Sequence, residues 1–397
     1  MYRIRVLLSL LLIVAAALVV PGRAEAAAAF PKIDAGAFRL VSGNTFTEYG
    51  SRVTALERDP RLTPVGLAAV LDGANRQGRN LCHSTYLTAS LNPRGFCWQD
   101  GEDDDENVWI PQGVTGSGDA QSAGTVLNGR RVVAATWHYS DDSFIRVSFL
   151  DLATLRYRHV LLVEPTADGN FQAVAGHGHG LFWYGNRLFV ATGGAVLRVF
   201  DLSHIWAMDT ATAEVGRGTD GKFHARYHAY ALPQTGAYWY EGGGCASGTG
   251  DRPCFASLAL DRSGTGSFVA AEHTTRGGGR IVRWPLDGDT ELPKVGTDGY
   301  VHAVEAFASP VWGMQGAVSY NGYFVISGVC PEYADEIGNG VDYPSCLHRG
   351  TGGVSTTTWT QAPRNTENLS YWPATGELWL MNEQLRERVT VHVGWPG

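Results

Sequence analysis

Five times between residues 112 and 394 the chain repeats one short plan: a polar or small start, an apolar stretch, a Gly/Asn-type turn and a second apolar stretch. Gln112-Gly113-Val114 leads into GTVLNGRRVVAATW, and His179-Gly180-Leu181 into LFWYGNRLFVATGG. Phe255-Ala256-Ser257 leads into LALDRSGTGSFVAAEH, Gln315-Gly316-Ala317 into AVSYNGYFVISG, and Glu367-Asn368-Leu369 into LSYWPATGELWLMNE. Each copy reads as two strands joined by a hairpin turn. In four copies a further strand follows (FIRVSFLDL, AVLRVFDL, GRIVRWPLDG, ERVTVHVGW), and three of these end in an acidic turn at Asp151, Asp201 and Asp287.

Starts near 112, 179, 256, 315 and 367 are separated by 67, 77, 59 and 52 residues. That is room for one four-stranded antiparallel sheet plus loops, which cannot bury its faces alone but can in a ring of such sheets. The pattern predicts an all-β chain folded as a single β-propeller of five blades, with six as the alternative count. A β-sandwich with insertions would explain the strands but not the recurring starts. Outer strands are expected at 158–165, 224–232 and 301–309. The last copy has no outer pair after Val393, so an N-terminal segment should close the sheet and remove its open edge. FRLVS (38–42) is the candidate for that role, whereas SRVTALERDPRLTPVGLAAVLDG reads equally well as helical. The expected division is a signal segment at 1–26, a closing and capping segment with a disulfide loop at 27–107, and blades at 108–397.

The leader carries Arg3 and Arg5, an apolar run from Val6 to Val20, a Pro21-Gly22 break and the small-x-small site Ala24-Glu25-Ala26. This is the pattern of a secretory signal peptide, with no later run to span a membrane. The six cysteines fall into the neighbouring pairs Cys82/Cys97, Cys245/Cys254 and Cys330/Cys346, without metal-type spacing. Three local disulfides in a secreted, extracellular protein are the expectation, each pinning a long loop. Lys+Arg number 31 against 39 Asp+Glu, which leaves no electrostatic footprint for nucleic acid. No GxSxG elbow, Walker loop, HExxH or dinucleotide fingerprint occurs.

In a propeller, residues just before the innermost strands converge on the axis, here Gln112, His177, His179, Gln315, Glu367 and Asn368. His177 and His179, two apart, project to one face of an extended segment. They are expected as metal ligands or acid/base groups, with Glu367 as third ligand or partner carboxylate and a divalent ion, calcium or a transition metal, as the cofactor. Gln112, Gln315 and Asn368 would orient substrate. Trp137-His138, Glu272-His273 and Asn382-Glu383 are expected at the opposite end of the strands, outside the site. Trp239 and Tyr240, beside the glycines 242–244, are expected to be exposed and to stack on sugar rings. DGEDDDEN (100–107) reads as a solvated acidic loop, with carboxylates enough for calcium but without EF-hand spacing. The NLS triplet at Asn368 falls at a strand start, which argues against glycosylation.

The Gln-Gly-aliphatic and Glu-Asn-Leu starts resemble those of secreted propellers of the gluconolactonase and streptogramin-lyase type, over residues 108–394. The resemblance implies that polar residues at blade starts hold a metal and a substrate on the axis. Five-bladed glycoside hydrolases are also similar; they bring three acidic residues to the axis, and Glu367 is the one matched here. The expected function is an extracellular, monomeric hydrolase or lyase acting on a carbohydrate-like or lactone-like substrate. The alternatives are a non-catalytic glycan- or surface-binding propeller and an interaction scaffold.

Overall fold

A computed structural model of the chain describes residues 27–397; the expected signal segment, 1–26, lies outside them. Each repeat folds into an antiparallel meander of four strands. Sheet I holds Trp109–Gly116, Val132–Tyr139, Ile145–Asp151 and Arg156–Pro165. Sheet II holds Gly180–Tyr184, Arg187–Gly193, Val196–Asp201 and Tyr230–Tyr240. Sheet III holds Ser257–Asp261, Ser267–Ala271, Arg280–Asp287 and Glu305–Ala308. Sheet IV holds Gly316–Tyr320, Tyr323–Val329, Ser345–Thr351 and Ser355–Ala362. In sheet V, Thr366–Trp372, Glu377–Asn382 and Val389–Gly394 are completed by Arg94–Cys97 from the N-terminal segment.

The first strands of I and II, II and III, III and IV, IV and V, and V and I pack against one another, which closes a ring around an axis. This is the propeller arrangement, and it explains the repeated glycine. A Cβ added at Gly180 would lie 2.4 Å from Leu258 N, and one at Gly316 2.5 Å from Glu367 O. At these points a neighbouring backbone occupies the side-chain volume, so only glycine allows the inner strands to meet. Apolar clusters then fill the wedges between sheets; between V and I the rings of Trp98, Trp137 and Tyr157 meet edge to face.

The N-terminal segment is a belt around the outside. Ala28–Ala29 pairs with sheet IV, Lys32–Ile33 with III, Arg39–Val41 with II, Arg76–Gln77 with I, and Arg94–Cys97 with V. The closing strand is therefore 94–97, not the expected FRLVS, which pairs with the outer strand of sheet II. The helical option holds at Thr45–Leu56 and Gly66–Asp72, which pack on sheets II and I. The outer strand expected at 158–165 is present, that expected at 301–309 is confined to Glu305–Ala308, and that expected at 224–232 begins at Tyr230 and runs to Tyr240. No helix among the described residues is long and apolar enough to cross a membrane.

All three expected disulfides form: Cys82–Cys97, Cys245–Cys254 and Cys330–Cys346, with sequence separations of 15, 9 and 16. Each removes about 3 kcal/mol of loop entropy from the unfolded chain. Cys254 corrects one expectation, because its bond to Cys245 does not pin a long loop. It closes a span of nine residues, and the half-buried Cys254 stands shortly before the first strand of sheet III. Next to it, the Phe255 N–H donates to Gly194 O at 2.6 Å, in the turn between the second and third strands of sheet II. A Cβ added at Gly194 would lie 2.8 Å from Cys245 Sγ. The bridge therefore packs directly on sheet II and fixes where the chain enters sheet III.

The acidic loop is not the solvated run expected. Asp103 and Asp104 are each 1 % exposed. Asp103 accepts from Arg146 Nη2 (2.5 Å), Tyr157 Oη (2.5 Å) and His159 Nε2 (3.0 Å). Asp104 meets Arg79, His83 Nε2 (2.6 Å) and the Arg388 backbone N–H (3.0 Å). Against the effect of burial, His159 and Arg146 hold the Asp103 carboxyl well below the usual range. These arginines come from distant parts of the chain, so the run of acids alone could not announce them.

At the axial end remote from the repeat starts, the buried turn Ser117–Ala120 plugs the ring against Trp372. Asp119 accepts from Thr115 Oγ1 (2.5 Å) and Ser370 Oγ (2.7 Å), yet its Oδ1 has no partner. Burial raises its pKa to about 7. The folded value lies above the unfolded one, so this group's contribution is complete below about pH 4 and is lost as pH rises through 7. Asp119→Asn should flatten the fall in melting temperature between acidic and mildly alkaline pH. A slope identical to that of the parent protein would show that Asp119 does not titrate there.

Candidate functional site

Antiparallel pairing decides which residues share the open rim. Pro111 lies opposite Trp137, Ser257 opposite Ala271, and Thr366 opposite Asn382. The start of each first strand is therefore beside the end of each second strand. His138, His273 and Glu383 stand on the same rim as Gln112, His177, His179, Gln315 and Glu367, which corrects their expected exclusion. The sequence-based placement treated the two strands of each hairpin as one, and so put their outer ends at opposite poles.

Two carboxylates from neighbouring strands of sheet V, Glu367 and Glu383, stand at this rim, each held by an amide from a neighbouring sheet. Gln112 Nε2 donates to Glu383 Oε2 at 2.7 Å, and Gln315 Nε2 donates to Glu367 Oε1 at 3.3 Å. Glu367 is 1 % exposed; burial, and next the charge of Glu383, push its pKa well above the usual range. Burial also raises Glu383, opposed by the Gln112 hydrogen bond and by His177 and Arg388. Two such groups do not both ionise readily, so the pair retains a proton where isolated carboxyls have lost theirs.

Beside the pair stands a column of imidazoles. His138 and His177 stack with centroids 3.8 Å apart at 27°, and His177 and His179 at 4.4 Å and 24°. Asp142 Oδ1 lies 2.7 Å from His138 Nδ1 and 3.1 Å from His177 Nδ1. For His138, whose Nδ1 faces both Asp142 Oδ1 and Tyr139 O, the network assigns the proton to Nδ1 and leaves Nε2 as a lone pair. His138 Nε2 is buried with no hydrogen-bond partner. Burial, and then the neighbouring imidazoles, lower His179 to about 3; burial and His177 likewise lower His138. The glycines around the pair are required: Gly176 has φ +134°, and a Cβ there would sit 1.9 Å from Thr192 O. The backbone lies directly on sheet II, and this close approach stacks the rings.

For a metal, the donors that gather are His138, Asp142 and His177, all within 4.8 Å of one another. The expected set of His177, His179 and Glu367 is corrected to that extent: only His177 belongs to this group, while Glu367 faces Gln315 and Glu383. Stacked rings present their lone pairs side by side, so one ion could take two of them only if a ring turned out of the stack. The six cysteines, Cys254 included, are all bound in disulfides, so none offers a thiolate as nucleophile or ligand.

Asn368, expected to orient substrate, is turned into the fold. It is fully buried; its Nδ2 donates to Val114 O (3.1 Å) and Leu181 O (3.2 Å), and its Oδ1 accepts from Leu258 N (3.2 Å). One side chain of sheet V thus pins the inner strands of I, II and III. Tyr240 is likewise buried, stacked on Phe255 at 5.0 Å, and Trp239 is paired with Val41 on the outer strand of sheet II. The belt strand covers that edge, so neither residue belongs to the axial rim. Glu383, His138 and Asp142 were missed as site residues. The signal for His138 and Glu383 was the polar residue that recurs at the ends of second strands, in WH, EH and NE; Asp142, in the turn after His138, carried none.

No family model matches the chain, and no curated protein matches it. Among solved structures it is similar to a gluconolactonase from Xanthomonas campestris, at 11 % identity over 81 % of this chain and 98 % of that one, with a TM-score of 0.36. A GH43 β-1,3-galactosidase aligns at 9 % identity over 75 % of this chain and 93 % of that one, with a TM-score of 0.34. The β-propeller domain of Cps50 (Swd1) from Myceliophteria thermophila aligns at 9 % identity over 81 % and 98 %, also with a TM-score of 0.34.

Proposed function

We propose that the five meanders are the blades of a five-bladed propeller exported from the cell, and that its open rim is the acid/base site of a hydrolase or lyase. Export is supported by the leader pattern and by three disulfides, which persist in oxidising compartments. The observation that carries the catalytic reading is the buried Glu367–Glu383 pair beside His138 and His179, both held below the usual imidazole range by burial. A carboxyl kept protonated by burial can give its proton to a leaving oxygen, and a second, ionised carboxylate can take one from water or from an acidic C–H. Glu367, the more deeply buried, is the acid in this reading; Glu383, nearer His177, is the base. Ring oxygens and lactone or glycosidic carbonyl-level carbons are the groups such a pair acts on, hence a carbohydrate-like or lactone-like substrate.

A second reading has its own observation, the unpartnered Nε2 of His138. With the His177 ring turned out of the stack and Asp142 still holding His138 Nδ1, a divalent transition-metal ion held by His138 and His177 would polarise a substrate oxygen at the same rim. The test is a panel of neutral glycosides, acidic glycosides and aldonolactones, followed by reducing ends, proton release and ultraviolet absorbance of unsaturated products. Elemental analysis runs in parallel. Turnover that depends on both glutamates supports the acid/base site. Stoichiometric metal lost in His138→Ala and His177→Ala supports the metal reading. Saturable glycan binding with no turnover across the panel would replace both with the binding-module alternative.

A further inference from the structure

Sheet I carries a second feature of the same rim, outward of the imidazole column. The turn that supplies Asp142 follows Tyr139, which forms one wall of a cavity of about 330 Å³, closed on its other side by the loop 226–229. Its lining is cationic. Arg76 lines it but is spent on Glu102 and Asp103; Arg146, Arg158 and Arg226 reach it as well, and Glu106 is the acid among its lining residues.

The three arginines are short of partners. Arg146 is 3 % exposed and spends one hydrogen bond, from Nη2, on Asp103, while its buried Nε has no partner. Its guanidinium is otherwise held by ring faces, 4.3 Å from Trp109 and 5.2 Å from Trp137. Arg158 donates to a backbone carbonyl, Gly73 O, at 3.0 Å. The Arg226 guanidinium makes no hydrogen bond or ion pair among the described residues; it lies over Phe144 at 4.2 Å and Tyr139 at 4.5 Å. Arg226 and Tyr227 both have left-handed backbones, φ +49° and +65°, and Tyr227 is 62 % exposed. Two successive non-glycine residues in that region are a strain that the surrounding fold must hold. Arg146, the buried one, spends a single Nη2 donor on Asp103, and the half-buried Arg158 and Arg226 meet no carboxylate among the described residues, so guanidinium donors are left over at the cavity wall. The two histidines in the wall add no competing charge, since burial, then Arg146, lowers His159 to about 4 and His228 to about 3.

We propose that this cavity binds the anionic group of a small ligand, a carboxylate, sulfate or phosphate, between Arg146, Arg158 and Arg226, with Tyr139 and Tyr227 against the ligand's body. Planar guanidinium forks match such oxyanions, and the flanking rings suit an attached sugar or other flat apolar face. The inference stands apart from the axial chemistry: it requires binding, not turnover.

The test is calorimetric titration of the purified full chain at low ionic strength with galacturonate, sulfate and inorganic phosphate, using galactose as the neutral control. The expected result is saturable binding of at least one anion and none of galactose. Binding should weaken roughly tenfold or more in the Arg158→Gln/Arg226→Gln double variant. Arg146 is left in place because it also anchors Asp103, and unchanged circular dichroism shows the double variant folded. The anion bound most tightly separates an acidic sugar from a sulfate or phosphate ester. No saturable binding of any anion, or equal binding by the double variant, overturns the proposal.

Discussion

Glu367→Gln is expected to cut turnover by about 10²–10⁴-fold, the usual range for loss of a general acid, while making the protein no less stable. The two effects have one cause. Glu367 is buried beside Glu383 with one amide donor, so its pKa is raised in the fold. A raised folded value means that its contribution to stability is complete below about pH 4.3 and is lost as pH rises. The glutamine keeps the shape, cannot ionise and removes the repulsion from Glu383. Melting temperature at pH 8 should therefore be equal to or above that of the parent, while activity disappears. Glu383→Gln should lower activity comparably. Full activity in either variant sinks the acid/base assignment. A loss of activity accompanied by a lower melting temperature would assign the glutamates to the fold instead.

Asn368→Ala should cost on the order of 3–5 kcal/mol, because it strands three buried backbone groups at once. Val114 O, Leu181 O and Leu258 N come from three different sheets, and nothing else is described as bonding them to the fifth. Chemical denaturation should show a lower midpoint with an unchanged slope, since the surface exposed on unfolding is the same. A loss below about 1 kcal/mol would show that the strands hold register without this amide. The contrast with Glu367, the adjacent residue, is the sharpest available here. Neighbours in sequence on one inner strand, one is expected to matter for chemistry and the other for the ring.

That contrast also marks how far the sequence was legible. Strand pairs, their tandem arrangement and the three disulfides were all present as local patterns: hairpin turns, recurring glycines and cysteines a few residues apart. The role of Asn368 was not, because an amide at a strand start looks the same whether it meets substrate or three neighbouring backbones. Tyr240 failed for a related reason, as the glycines after it suggested exposure while a distant belt strand covers it. Cys254 was paired correctly from its spacing, but its contact with sheet II depends on a turn sixty residues earlier in the chain. His138 and Glu383 were visible as polar residues but were assigned to the wrong pole. Only the antiparallel register brings the end of one strand to the beginning of the one before it. Asp103 and Asp104 needed Arg146, Arg79 and Arg388, residues that only the finished ring delivers.

The belt sets an order of events. Ala28 pairs with Thr356 and Lys32 with Phe307, so the first described segments to be synthesised must wait for partners that are made among the last. Sheet V is in the same position, because its outer strand, Arg94–Cys97, is made long before the strand Val389–Gly394 that it joins. Until synthesis ends, the early chain has no sheet to join, and the growing array keeps open strand edges. Such non-local pairing makes for slow folding with a late, concerted closure. The ring can close only once Val389–Gly394 is available to join Arg94–Cys97, and closure then ties early and late segments into the same sheets.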